Sequence, residues 1–252
     1  MENTRTKTTR NSLILLLTAA IWGMAFVSQS KGMDYMHPFT FNGVRSLIGA
    51  ASILVYILIS RKIAGDKAAP LDWKLNVKAG LLCGIFLTIA STLQQFGIKY
   101  TSVGKAGFIT TLYIIFVPMF GIFLKKKVAP VVWAAAVMAA VGMYLLCMTE
   151  SLRLGAGDIM VFLCAIAFAI QIMTVDHYAA RIDGAVVSCI QFTVCGVVCC
   201  IGALIWGQPT FGQLQEGLGA LLYAGVLSCG VGYTLQIVGQ KGLNPTVAAL
   251  IM

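Results

Sequence analysis

Thr92-Leu93-Gln94-Gln95-Phe96-Gly97-Ile98-Lys99 and Thr234-Leu235-Gln236-Ile237-Val238-Gly239-Gln240-Lys241 share the pattern T-L-Q-x-x-G-x-K at an interval of 142 residues. The interval holds past the octapeptide, where Ala106 matches Ala248 and Ile109 matches Ile251. Each copy closes a long uncharged run, the third and the eighth of the chain. The copies are therefore five runs apart. Because five is odd, runs that each cross a bilayer leave the two halves in opposite orientation, which defines an inverted internal repeat.

The runs decide the fold class. They cover 11–30, 39–60, 79–98, 106–124, 128–148 and 159–175, then lie within 184–215 and over 217–240, and a ninth opens at Asn244 and Pro245. A membrane helix needs about 20 apolar residues at about 1.5 Å rise each. Of 252 residues 59% are hydrophobic and 11% charged, with a mean hydropathy of +0.88. Soluble domains carry roughly 25% charge, and one core of this size could not hide so much apolar surface. A soluble enzyme, a disordered chain and a nucleic-acid-binding domain are excluded. Alternating apolar and polar strand patterns are absent, which excludes a membrane β-barrel. The first run follows Arg5, Lys7 and Arg10, but its span length and the absence of a small-residue cleavage site argue against a signal peptide.

The expectation is an all-α, polytopic membrane helix bundle built from two inverted five-helix repeats, residues 1–150 and 151–252. Ten helices are expected, of which eight and the start of a ninth are present. By the repeat interval Met252 aligns with Thr110, so the second half is about 38 residues short and the complete protein has about 290.

Lys and Arg set the orientation. With the N-terminus inside, the inner segments hold Arg5, Lys7, Arg10, Arg61, Lys62, Lys67, Lys74, Lys78, Lys125, Lys126, Lys127, Arg181 and Lys241. The outer ones hold Lys31, Lys99, Lys105 and Arg153, a bias of 13 to 4. This predicts a multi-pass protein of the plasma membrane with a cytoplasmic N-terminus. The net charge of +9 is thereby a matter of topology, and no nucleic-acid partner is expected.

Several stretches carry a resemblance. They are Ala20-Ile21-Trp22-Gly23, Pro38-Phe39-Thr40 through Arg45, Lys105-Ala106-Gly107-Phe108 through Pro118, and the basic Lys125–Lys127. Asn244-Pro245-Thr246-Val247-Ala248-Ala249-Leu250-Ile251 completes them. In this order they resemble the EamA family of the drug/metabolite transporter superfamily. The resemblance implies ten helices in two inverted repeats, a central cavity, and movement of small metabolites, amino acids among them.

The chemistry available inside the runs is sparse. All nine acids fall in loops or at run ends, as do His37 and His177. A proton relay on carboxylates therefore has no visible parts. Arg45 is the one charge inside a run, about 6 residues or 9 Å from its start. It reads either as a fixed cation for a carboxylate-bearing solute or as a snorkelling side chain paired with Asp34. Gln94 and Gln236, the repeat-related amides, offer donors and an acceptor without charge; they read as solute contacts or as interhelical glue. Trp22 and Tyr113 sit near the middle of their runs, away from an aromatic belt, and read as cavity wall or packing. These five, Trp22, Arg45, Gln94, Tyr113 and Gln236, are the candidate solute-binding residues. Gln29, Asn42, Gln171, Gln191 and Tyr233 are weaker candidates of the same kind. Pro118 is expected to kink the fourth run. Cys195 and Cys199 share a helix face without a His or carboxylate partner, so no metal site and no cofactor are expected.

The partners expected are a small solute and the bilayer. A secondary transporter, not an enzyme, is the leading function class. A membrane-embedded enzyme requires clustered acids, or a His near a Ser, and neither is visible. A receptor or scaffold needs no inverted repeat and carries longer loops.

Overall fold

The computed structural model describes residues 4–65, 71–123, 130–148 and 155–252. Asp66, Lys67, Lys125, Lys126, Lys127, Glu150 and Arg153 lie outside the described residues, as do the side chains of Arg5 and Cys147.

Helices α1 (Thr4–Tyr35), α2 (Pro38–Ala64) and α3 (Trp73–Tyr100) come first. The fourth run is two helices, α4 (Val103–Thr110) and α5 (Tyr113–Phe123), followed by α6 (Pro130–Met148) and α7 (Ala156–Ala179). Next is α8 (Gly184–Gly202), which continues through a π-helical turn, Ala203–Gly207. A short α9 (Phe211–Glu216) precedes α10 (Leu218–Leu222), a π-helical stretch over Tyr223–Gly232, and α11 (Tyr233–Gln240). The last element is α12 (Pro245–Ile251). Among the described residues seven stretches are long and apolar enough to cross a membrane, and no strand occurs.

Local chemistry explains where these helices start. In lipid only closed hydrogen-bonding patterns survive, so apolar runs become helices and polar side chains mark their ends. Asp72 accepts from the Leu75 amide, Asp183 from those of Ala185 and Val186, and Asn244 from that of Thr246. His37 accepts from the Phe39 amide, and Pro38 and Pro245 take first-turn positions where no donor is lost.

The fourth run also breaks where no proline stands. The break in the fourth run falls at Thr111–Leu112, while Pro118 sits inside α5. Two threonines explain it. Thr110 and Thr111 donate their hydroxyls to the carbonyls of Ala106 and Phe108, each at 2.7 Å. The backbone tightens there, with Leu112 bonding Ile109 and Ile115 bonding Leu112.

Small residues set the packing. An added Cβ on Gly97 would lie 2.4 Å from Val161 Cγ2 and 2.9 Å from the Gly157 oxygen, so α3 and α7 touch backbone to backbone. One on Gly239 would meet Leu15 at 2.7 Å, which joins α11 to α1. Helices α2 and α8 run antiparallel, with Gly43 against Cys200 and Gly202 against Phe39.

The two ends of the bundle differ. At one, Phe39 is flanked by His37, Phe96 and Trp206, with ring centroids 5.1–5.7 Å apart. At the other, Asn76 accepts from the Asp183 amide at 2.9 Å, and Asn11 donates to the Lys241 carbonyl at 2.7 Å. Between them the usual pattern is inverted. Ile63 and Leu58 face outward, while Asn42, Gln95, Gln171 and Gln191 are fully buried. Apolar side chains on the outside suit hydrocarbon, and amides inside mark where polar chemistry is possible.

Candidate solute-binding cavity

A cavity of about 550 Å³ lies between the helices, and Trp22, Arg45, Gln94, Tyr113 and Gln236 all line it. Its size falls in the range of small-molecule sites. The five come from α1, α2, α3, α5 and α11, so the structure brings together residues up to 214 positions apart.

Arg45 is 6% exposed. Its guanidinium carbon lies 5.5 Å from the Phe41 ring centroid, and its Nε has no hydrogen-bond partner among the described residues. The pairing with Asp34 raised by the sequence does not form. Asp34 is exposed near the end of α1, and no described carboxylate pairs with Arg45. The physical reason is placement: Arg45 is two helical turns into α2 and opens on the cavity, whereas Asp34 faces outward.

The amides sort into two groups. Gln94 donates to Thr110 Oγ1 at 3.2 Å, and nearby Gln95 donates to the Gln29 carbonyl at 3.1 Å. These lie toward the His37 end. Toward the Asn76 end, Gln236 donates to Gln171 at 3.5 Å, and Gln171 donates to Gln191 at 3.4 Å. The buried oxygens of Gln29 and Gln236 keep no partner among the described residues. Gln29 and Gln171 are 142 residues apart, the interval that also separates Gln94 from Gln236, and all four line the cavity.

The aromatic wall is built from both halves. Trp22 and Tyr233 have centroids 4.7 Å apart, and Phe192 meets Tyr233 edge to face at 4.9 Å. A Cβ on Gly232 would sit 2.8 Å from Trp22 Nε1, so that glycine makes room for the indole. Tyr113 is buried at the first position of α5, just after the break at Thr111–Leu112.

Some lining residues escaped the sequence reading. Ser46, Ser91, Phe168 and Phe192 look like ordinary helix residues, and nothing local marks them. Gln29 and Gln171, weaker candidates in the sequence, do line the cavity, and the repeat interval pairs them. The cysteines singled out, Cys195 and Cys199, lie behind the cavity. Cys195 accepts from Ser46 at 3.5 Å, and Cys199 is 3.6 Å from Thr92 Oγ1.

The sequence profile of the EamA-like transporter family matches residues 10–148 and 155–252. The chain belongs to this family. As a member of a transporter family with seven candidate spans among its described residues, it is a multi-pass membrane protein. An uncharacterized transporter of Archaeoglobus fulgidus is 31% identical over 171 residues, 66% of this chain and 48% of that protein. The match thus spans about half the length of that relative. An uncharacterized transporter of Bacillus subtilis is 26% identical over 95% of this chain and 80% of its own. One of Clostridium kluyveri is 24% identical over 95% and 79%. A solved crystal structure of a protein superposes with a TM-score of 0.74 at 16% identity, covering 96% of this chain and 83% of the other. It shares the fold.

Proposed function

We propose that this EamA family member is a secondary transporter that exports a small polar or amphipathic metabolite, such as an amino acid. It works by alternating access of two inverted repeats, residues 1–150 and 151–252. The observation that carries this is the cavity to which repeat-related amides contribute, Gln29 and Gln94 from one half, Gln171 and Gln236 from the other. Gln94 lies about 9 Å from the end of α3 nearest His37, whereas Gln236 lies about 6 Å from the Asn76 end of α11. Opposite placement of equivalent residues is what an inverted repeat gives. Two further facts support it. The family profile matches the chain twice. The contact of Gly97 with Gly157 also has a counterpart in that of Gly239 with Leu15, each position shifted by 142.

Rocking of one half against the other would open the cavity to each side in turn. The sorting of Lys and Arg supports a plasma-membrane protein with the N-terminus and the Asn76 end in the cytoplasm. Its partners are the bilayer and a small solute, without cofactor or nucleic acid. Metabolite profiling of medium from expressing cells tests the function. Accumulation of one metabolite outside cells making the wild-type protein, reduced in cells making Gln236→Leu at equal membrane abundance, is expected. Identical profiles for wild type and empty vector contradict export.

A further inference from the structure

We infer that the cavity takes its solute as an organic anion, with a carboxylate on Arg45 and an apolar body against Trp22, Phe192 and Tyr233. This rests on the transport reading only in treating the cavity as the solute's place.

Arg45 is more than nine-tenths buried and lines the cavity, and no described carboxylate pairs with it. A buried cation without a counter-ion is strongly unfavourable, and a guanidinium fork matches a carboxylate in two parallel hydrogen bonds. The ring of Phe41 offers only a weaker, neutral contact. Beside it Tyr233 stands between Trp22 and Phe192, its ring centroid under 5 Å from each of theirs. Together they provide apolar surface for a ring or branched chain.

Among the described residues no Asp or Glu lines the cavity. An ammonium group entering it would find amide oxygens, those of Gln29 and Gln236, and ring faces, but no opposite charge. It would also sit in the field of Arg45. Amino acids are then accepted through their carboxylates, and their deaminated analogues bind better, since no ammonium has to be desolvated without a partner.

Three probes of one shape test this: 3-phenylpropionate, phenylalanine and phenethylamine, titrated at neutral pH into purified protein by calorimetry. The expected order is 3-phenylpropionate first, phenylalanine next and phenethylamine at least about tenfold weaker than the acid. Arg45→Gln should cost the acid at least about tenfold and abolish the preference for it over the amine. Arg45→Lys keeps the charge and should retain that order at lower affinity, which guards against a folding defect in the first variant. Equal binding of all three, tightest binding of the amine, an unchanged order in Arg45→Gln, or no binding at all overturns the inference. Flux of some other solute in vesicles, with no binding of the acid, would contradict the anion site and spare transport. Binding of the acid by a protein that moves nothing would do the reverse.

Discussion

Gln236 donates its side-chain amide to the oxygen of Gln171 across 3.5 Å, joining α11 to α7 at the wall of the cavity. The bond is long, and membrane interhelical hydrogen bonds average about 0.6 kcal/mol. Gln236→Leu removes it and leaves the buried Gln171 oxygen without a donor, which costs about 1 kcal/mol. We expect thermal unfolding in detergent to shift down by a few degrees, with the protein still monodisperse. A collapse of expression would mean that the amide chain from Gln236 through Gln171 to Gln191 is structural cement.

The contact between α3 and α7 is less forgiving. A Cβ on Gly157 would lie 2.8 Å from the Gly97 oxygen and 2.9 Å from the Tyr100 carbonyl carbon, and backbone cannot rotate away. Gly157→Val should destabilise by about 1–3 kcal/mol. Gly219→Ala, where nothing lies within 4 Å, should leave the melting temperature unchanged or slightly raised. Calorimetry of the two variants beside the wild type checks both.

His37 makes stability depend on pH. Burial, and then the charge of Lys99, hold its imidazole below the ordinary value of 6.5. The unfolded chain therefore binds a proton more readily than the folded one. The stabilising contribution is complete above pH 6.5 and is lost as pH falls through the lowered native value. Protonation would also end the helix cap, since only unprotonated Nδ1 can accept from the Phe39 amide, here at 3.3 Å. Melting temperatures should fall between neutral and mildly acidic pH, and fall less in His37→Asn, which caps without titrating.

Orientation is testable at the two ends of α3. A reporter cysteine replacing Tyr100, exposed at one end, should react with an impermeant maleimide in intact cells. One replacing Trp73, exposed at the other end, should react only after lysis. The reverse pattern would turn the whole topology over.

How much of this was legible beforehand depends on the signal each feature leaves. Apolar length gave the spans, because lipid demands it, and α2, α3 and α7 extend the runs by one to six residues at each end. The repeat gave Gln94 and Gln236, and uncharged surroundings made Arg45 conspicuous; the structure puts all three on one cavity. The break at Thr111–Leu112 was not legible, since a Pro is a louder signal than a pair of threonines bonding their own helix. The π-helical stretch over Tyr223–Gly232 was not legible either. Within it Gly225 and Gly230 meet Ile48 and Ser52 of α2, contacts far apart in sequence. The lost partnership of Arg45 with Asp34 is of the same type. Proximity in sequence suggested a pair that the depth of Arg45 in its helix prevents.

On the proposed function, the cavity is the solute's route. Counterflow of a labelled solute identified by metabolite profiling, into proteoliposomes holding equal amounts of protein, tests it most directly. Wild-type protein should exceed protein-free vesicles, and Gln94→Leu and Gln236→Leu should each lower the rate several-fold while remaining folded. Rates for both variants equal to wild type would contradict it.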